Sequence, residues 1–479
     1  MLCKSYRCLM FARNQNNPVQ RRTLVGPLLR LTWPIAVSML SYSLMTAVDT
    51  LFVGRKGAEA IAAVGLGGLS SFALLTLAMG LLRGGKVLVA HSFGAGDHSK
   101  AEGLAKANLV LSTFLAAATL LVTVSVAPLL RHAFDEPRAG RLVVSYVVVR
   151  AVAIPFFLMA TSIREVSQGV GDSRRPMFAA LAANLANIPL NALLVVVLDW
   201  GVVGSAIANV LAQVIEFSWL CKQRSSWVKM THVDWAQIRT IVRLGWPLGV
   251  EMFLDVSSFA TLAFIIARLG ATELAAHQIA LQVSHLAILP LLALSESASI
   301  LAGQACGGGR LREIRPIIRS SLAAGLLFAA CMGIPLALFP TSIAAFFTTD
   351  TEVSRLAAVL VQMVAGFQVG FVLYSVGRAV LRGLGDLRYT AMVTVGVAWI
   401  CTPTLGILLG HVMGYGVVGG WCGISVEIVL ASMLYFVRIE RRGWRKAAER
   451  VRGQTTQAQA ATSCDQECVV LYSRPTTAD

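Results

Sequence analysis

The chain reads as an all-α polytopic membrane protein: twelve transmembrane helices arranged as two parallel-repeat six-helix bundles. Three observations predict this. Of its 479 residues, 56% are hydrophobic and only 14% are charged, against about 25% charged in soluble domains, and the mean hydropathy is +0.69. The apolar residues gather into twelve runs close to the length of about 20 residues that a helix needs to cross the hydrocarbon. The second half of the chain also repeats the first. The runs lack period-two alternation, so helices, not a closed barrel, satisfy the backbone in lipid.

Residues 1–27 form an N-terminal extension with Lys4, Arg7, Arg13, Arg21 and Arg22 and no apolar core of the kind a cleavable signal carries. An N-lobe (28–221) follows, with spans Leu28–Val53, Ile61–Ala90, Leu104–Leu130, Leu142–Val166, Met177–Leu198 and Val202–Cys221. A cytoplasmic linker (222–243) leads to a C-lobe (244–437), with spans Leu244–Ala267, Leu274–Gly303, Ile317–Phe339, Leu356–Leu381, Thr390–Leu409 and Val417–Val437. Residues 438–479 are polar and expected to form a disordered cytoplasmic tail.

Charge orients the spans. Lys222, Arg224, Lys229 and Arg239 of the linker, Arg310, Arg312 and Arg315 after span eight, and Arg438, Arg441, Arg442, Arg445 and Lys446 after span twelve fall on the side of the basic N-terminus. Arg131, Arg138 and Arg141 fall opposite, partly offset by Asp135 and Glu136. The positive-inside rule then places both termini in the cytoplasm. The net charge of +16 is an orientation signal; no aromatic-basic platform suggests a nucleic-acid partner. The nine cysteines are odd in number and show no disulfide or metal spacing.

The repeat is specific. RLTWPIAVSML (Arg30–Leu40) and RLGWPLGVEMF (Arg243–Phe253) share six of eleven positions at a shift of 213. The same shift pairs Gly57-Ala58 with Gly270-Ala271 and Gly94 with Gly307. REVSQGVGD (Arg164–Asp172) recurs as RAVLRGLGD (Arg378–Asp386), and GVVG (Gly201–Gly204) recurs at Gly416–Gly419. An even number of spans per half makes the halves enter the membrane alike, and parallel repeats of this kind place a site between two lobes near the midplane.

These blocks resemble the multidrug and toxic compound extrusion (MATE) family, with the DinF-like and NorM-like bacterial branches nearest. Pro34 followed by Val48-Asp49-Thr50, Gly54-Arg55 and Gly57 is similar to the family's first-helix signature, and LAAHQIALQ (Leu274–Gln282) to its eighth-helix entry. GAGD (Gly94–Asp97), GVGDSRRP (Gly169–Pro176) and LRGLGDLR (Leu381–Arg388) resemble its cytoplasmic turns. The resemblance covers about residues 25–440. It implies V-shaped lobes and export of organic cations or amphipathic drugs in exchange for H⁺ or Na⁺, from a bacterial inner membrane. The coupling ion is then the one cofactor-like requirement, with drugs and membrane lipid as partners and a single chain as the working unit.

Asp49 is the sharpest candidate. It lies 15 residues past Pro34, about 22 Å along a helix, and a carboxylate inside a membrane costs at least ~2.5–3.5 kcal/mol. Ser38, Tyr42, Met45 and Asp49 share one helix stripe, the first three as cavity candidates. The resemblance implies a cation-coupling role for Asp49; the alternative is a hydrated helix end or a pair with Arg55. Asn184, Asn187 and Asn191 share a face of span five and are candidate neighbours of Asp49, or interhelical glue. The DinF-like position has an Asp where this chain has Asn191. Glu251 and Asp255 in span seven are ion or substrate candidates of the second lobe; Asp255 matches an acid of the NorM-like branch, whose span-ten acid is here Phe371 or Tyr374. Pro34 and Pro247 are candidate hinges. Arg83 and Glu296 are related by the 213 shift and are expected to pair across the lobes, with Lys86 beside them, so that exchanging their charges would preserve function.

Other motifs are refused. GLLRGGKV (Gly80–Val87) lacks the Ser or Thr of a P-loop and lies in an apolar span; GYGVVG (Gly414–Gly419) lacks a βαβ context. No catalytic constellation and no metal spacing among His91, His277 and His411 is present. The rival function is a flippase for a lipid-linked sugar or peptidoglycan precursor, which needs several intramembrane cations. Arg83 and Lys86 against Asp49, Glu251, Asp255 and Glu296 favour cationic cargo instead.

Overall fold

The computed structural model describes residues 24–54, 58–129, 137–228, 234–451 and 453. Among them every regular element is helical. Span one is Val25–Gly54, span two Ala58–Gly94, span three His98–Val126, span five Arg174–Asn191 and span six Gly201–Gln223. Spans seven to twelve are Trp235–Ala267, Ala271–Gly307, Ile314–Leu338, Thr351–Gly383, Leu387–Leu405 and Gly416–Glu440. Short helices Ser225–Val228 and Pro340–Phe347 link them. Among the described residues eleven helices are long and apolar enough to cross a membrane, and a bent pair makes the twelfth.

That bent pair is span four, which the sequence reading drew as one unbroken segment. Pro137–Ala151 and Ile154–Gly169 meet at a bend of 50°. Pro155 explains the break: it has no N–H to give and sits in the first turn of the second piece, where none is needed.

Two expected boundaries are corrected. The linker 222–243 is shorter than expected, because span seven begins at Trp235, capped by the Asp234 carboxylate accepting from the Ala236 N–H at 2.9 Å. The segment 438–479 is not a tail throughout. Span twelve runs to Glu440, residues 445–451 turn again as helix, and Trp444, Ala448 and Val451 are buried. Their apolar side chains have packing partners that a hydropathy reading does not see: Trp444 and Ala448 join the C-lobe core, and Val451 the N-lobe core.

The repeat is visible in the backbone. Gly171 and Gly385, last residues before the Asp of each Gly-Asp turn, have φ of 88° and 87°, values that exclude most side chains. Spans five and eleven both end in a π-helical turn, Ala192–Val197 and Gly406–Val412. Packing repeats too: span one lies on span five as span seven lies on span eleven, and span two lies on span four as span eight lies on span ten.

The lobes meet where span two crosses span seven and span one crosses span eight. Glycines four apart make the first crossing close: Gly80 and Gly84 face Gly245 and Gly249. A Cβ on Gly84 would stand 2.7 Å from the Gly245 Cα, and one on Gly249 would stand 2.6 Å from the Leu77 carbonyl oxygen. Two reciprocal bonds close the seam further on. Gln304 donates to the Gly169 carbonyl at 2.9 Å, and the pseudo-equivalent His91 meets the Gly383 carbonyl at 2.7 Å. Overpacking a backbone contact of this kind costs about 1–3 kcal/mol, so Gly84→Leu is expected to lower the thermal unfolding midpoint of the purified protein by several degrees, and a thermal melt checks this.

Candidate substrate cavity and coupling site

A cavity of about 320 Å³ lies between spans one, two, four and six of the N-lobe, with Glu296 of span eight in its wall. Ser38, Tyr42 and Met45 line it as their shared stripe requires, facing Phe72, Met79 and Phe157. Asp49, one helical turn beyond Met45, does not line the cavity; it is buried behind it at 3% exposure.

Three amides enclose Asp49. Asn191 donates to Oδ1 at 2.8 Å, and Asn209 of span six donates to Oδ2 at 2.8 Å. Asn187 accepts from Asn191 at 3.0 Å, and Asn184 donates to the Ser41 hydroxyl at 2.6 Å. Spans five and one pack side by side, which is why residues three and four apart on span five all face span one. No Arg or Lys is within ion-pairing reach of Asp49 among the described residues; Arg55, its alternative partner, lies outside them. The Asn184, Asn187 and Asn191 amides retain buried polar atoms with no partner: Asn184 Oδ1, Asn187 Nδ2 and Asn191 Oδ1. A buried carboxylate held by amide N–H donors, in a group of asparagines two of which keep an unpartnered amide oxygen, suits a proton or a hard cation such as Na⁺, which prefers oxygen ligands.

Beside this cage stands a cluster the sequence reading missed. The Tyr42 hydroxyl donates to Glu216 at 2.5 Å and accepts from Arg164, whose guanidinium lies over the Tyr42 ring and 3.4 Å from Glu216. The C-lobe has a counterpart built on Arg378, the residue that the repeat aligns with Arg164. Arg378 lies 3.7 Å from Asp255 and 3.8 Å from Glu251, and donates to Tyr374 at 2.8 Å. Glu251 also holds Arg382 at 2.7 Å and accepts from Thr394 at 2.6 Å. Glu251 and Asp255 thus both carry guanidinium partners and line a second cavity of about 180 Å³. Phe371 and Tyr374 supply no acid there; Glu427, which accepts from Thr402, is a further carboxylate of that lobe.

Arg83 and Glu296 do face each other across the lobes, at 3.5 Å, but within a network of four. Lys86 is the closer partner of Glu296 at 2.7 Å, and Glu165 binds both cations, Lys86 at 2.5 Å and Arg83 at 3.6 Å. Pro34 and Pro247 lie inside continuous helices. Asn209, Gln213 and Glu216 could have been found: they sit at i, i+4 and i+7, a polar stripe in an apolar span.

Two parallel repeats that enclose polar cavities within a multi-pass helical bundle define a membrane transporter, not an enzyme. A family model described as MatE matches residues 34–193 and 247–408. The chain belongs to the MATE transporter family. It is 26% identical over 452 residues to the probable multidrug resistance protein NorM of Idiomarina loihiensis, covering 90% of this chain and 97% of that one. It is 28% identical over 422 residues to the multidrug resistance protein NorM of Burkholderia vietnamiensis, covering 85% of this chain and 91% of that one. In fold it is similar to a multidrug resistance MATE family transporter of the MOP superfamily in its outward-facing conformation, at a TM-score of 0.82 and 20% identity over 91% of this chain and 100% of that one.

Proposed function

We propose that the protein is a secondary multidrug antiporter of a bacterial inner membrane, acting as a monomer with both termini cytoplasmic. It exports amphipathic compounds, organic cations among them, in exchange for H⁺ or Na⁺. The observation that carries this reading is a buried carboxylate, Asp49, held by amides and, among the described residues, by no cation, directly behind a drug-sized cavity. Family membership and the names of the relatives point the same way.

The amide N–H donors favour the charged carboxylate while burial opposes its charge, so small changes in hydration decide whether it holds an ion. Rocking of the lobes about the two–seven and one–eight seams supplies those changes. With the seam closed, Arg83 and Lys86 hold Glu165 and Glu296; rocking must break that network. Tyr42 joins cavity to cage, since it lines the first and lies one turn-pair before Asp49 on the same stripe.

The test is ethidium efflux from proteoliposomes under an imposed pH or Na⁺ gradient. Efflux is expected to accelerate under one gradient and to collapse when that gradient is dissipated. Ethidium movement indifferent to both gradients would overturn the antiporter, and flipping of a labelled lipid-linked sugar without ethidium movement would favour the flippase.

A further inference from the structure

We propose that Arg150 makes the N-lobe cavity a binding site for the carboxylate of amphipathic organic acids and zwitterions. The proposal rests on that cavity being the substrate cavity.

Arg150 ends the first piece of span four, next to the 50° break, and lines the cavity. Its one hydrogen bond among the described residues runs from Nη1 to the Tyr146 hydroxyl at 2.5 Å. The other cations of the cavity are committed: Arg83 and Lys86 to Glu165 and Glu296, and Arg164 to Glu216 and Tyr42. No described carboxylate stands within 4.0 Å of Arg150. Asp49 lies within its field, yet both Asp49 oxygens are taken by Asn191 and Asn209.

A guanidinium inside a membrane bundle calls for a counter-charge. Where the described residues supply none within 4.0 Å, a ligand anion matches that charge. The chemistry selects which anion. A planar fork with free donors matches a carboxylate, in one plane and with two parallel bonds. One uncommitted cation suits one monoanionic group; a pyrophosphate would demand several. The walls set the remainder of the ligand, since Phe72, Phe157, Met39 and Met79 offer aromatic and adaptable apolar contact. A flat aromatic body carrying one carboxylate satisfies both halves of the site, and a second, cationic group on that body is accommodated.

Rhodamine B and rhodamine B ethyl ester provide the test, because they share one cationic body and differ only in the carboxylate. Wild type in proteoliposomes is expected to export both. Arg150→Gln is expected to lose rhodamine B efflux by about tenfold or more, the worth of a charge-assisted bond, while ester efflux stays within about twofold. Arg150→Lys, which keeps the charge without the fork, is expected to fall between. Equal loss of both dyes in both variants makes Arg150 a structural residue and overturns the proposal, as does unchanged acid efflux in Arg150→Gln. Export of the ester but not the acid by wild type overturns it while leaving the antiporter standing; export of neither dye overturns both.

Discussion

Replacing Asp49 by Asn is expected to abolish concentrative efflux while leaving downhill dye exchange intact. The substitution is nearly isosteric and keeps a group that accepts hydrogen bonds, so the cage of Asn187, Asn191 and Asn209 survives with one amide reversed. What is lost is the ability to take and release a charge. A coupling free energy of ordinary size corresponds to roughly 5- to 150-fold in affinity, and gradient-driven accumulation against ethidium is expected to fall by that order. Exchange driven by the dye's own gradient needs only the cavity and the rocking lobes, and is expected to change little. Asp49→Ala is the harsher control, because it removes the acceptor that Asn191 and Asn209 share, leaving them only Asn187 and Ser205 on their own helices, and should also lower thermal stability.

The second large effect is expected at Glu296. Glu296→Gln leaves Arg83 and Lys86 sharing the single carboxylate of Glu165. Removing one member of a buried ionic cluster costs about 3–5 kcal/mol, mostly because the remaining charges stay buried. The seam then loses its closed state and efflux should drop at least about tenfold. Exchanging the charges of Arg83 and Glu296, the repair that the repeat suggests, is not expected to work. Each cation touches both acids, so the swap turns two of the four attractive contacts, Arg83 with Glu165 and Lys86 with Glu296, into repulsive ones. The matching repair is Lys86→Met with Glu296→Gln, which returns Arg83 and Glu165 to one charge each. The double variant is expected to be more stable and more active than Glu296→Gln alone, measured by thermal unfolding and dye efflux. A double variant worse than the sum of the two single ones would dismiss the network.

Much of this was legible in the chain itself. Pro34 with Pro247 and Gly94 with Gly307 announced the repeat because the same backbone task recurs in both lobes. Asp49 stood out because nothing else in span one is charged between Arg30 and Gly54, and its Asn neighbours followed from helical spacing. What escaped was hidden by averaging. Glu216 sits in a span apolar enough to mask one polar stripe. Arg164 and Arg378 precede the Gly-Asp turns and read as helix ends near water, although tertiary packing draws both inward onto Tyr42 and Tyr374. Arg150 could be placed in span four but not aimed. The count of intramembrane cations was therefore too low: Arg150, Arg164, Arg378 and Arg382 all line the two cavities.

The claim on which the account depends is that occupancy of the cavity and occupancy of Asp49 exclude each other. Ion displacement on dye binding measures this directly in purified protein, as protons released to a weakly buffered solution or as ²²Na⁺ lost from the protein. Wild type is expected to release one of the two ions when rhodamine B ethyl ester binds, and Asp49→Asn is expected to bind the dye and release neither. Equal release from the Asp49→Asn protein would contradict the account.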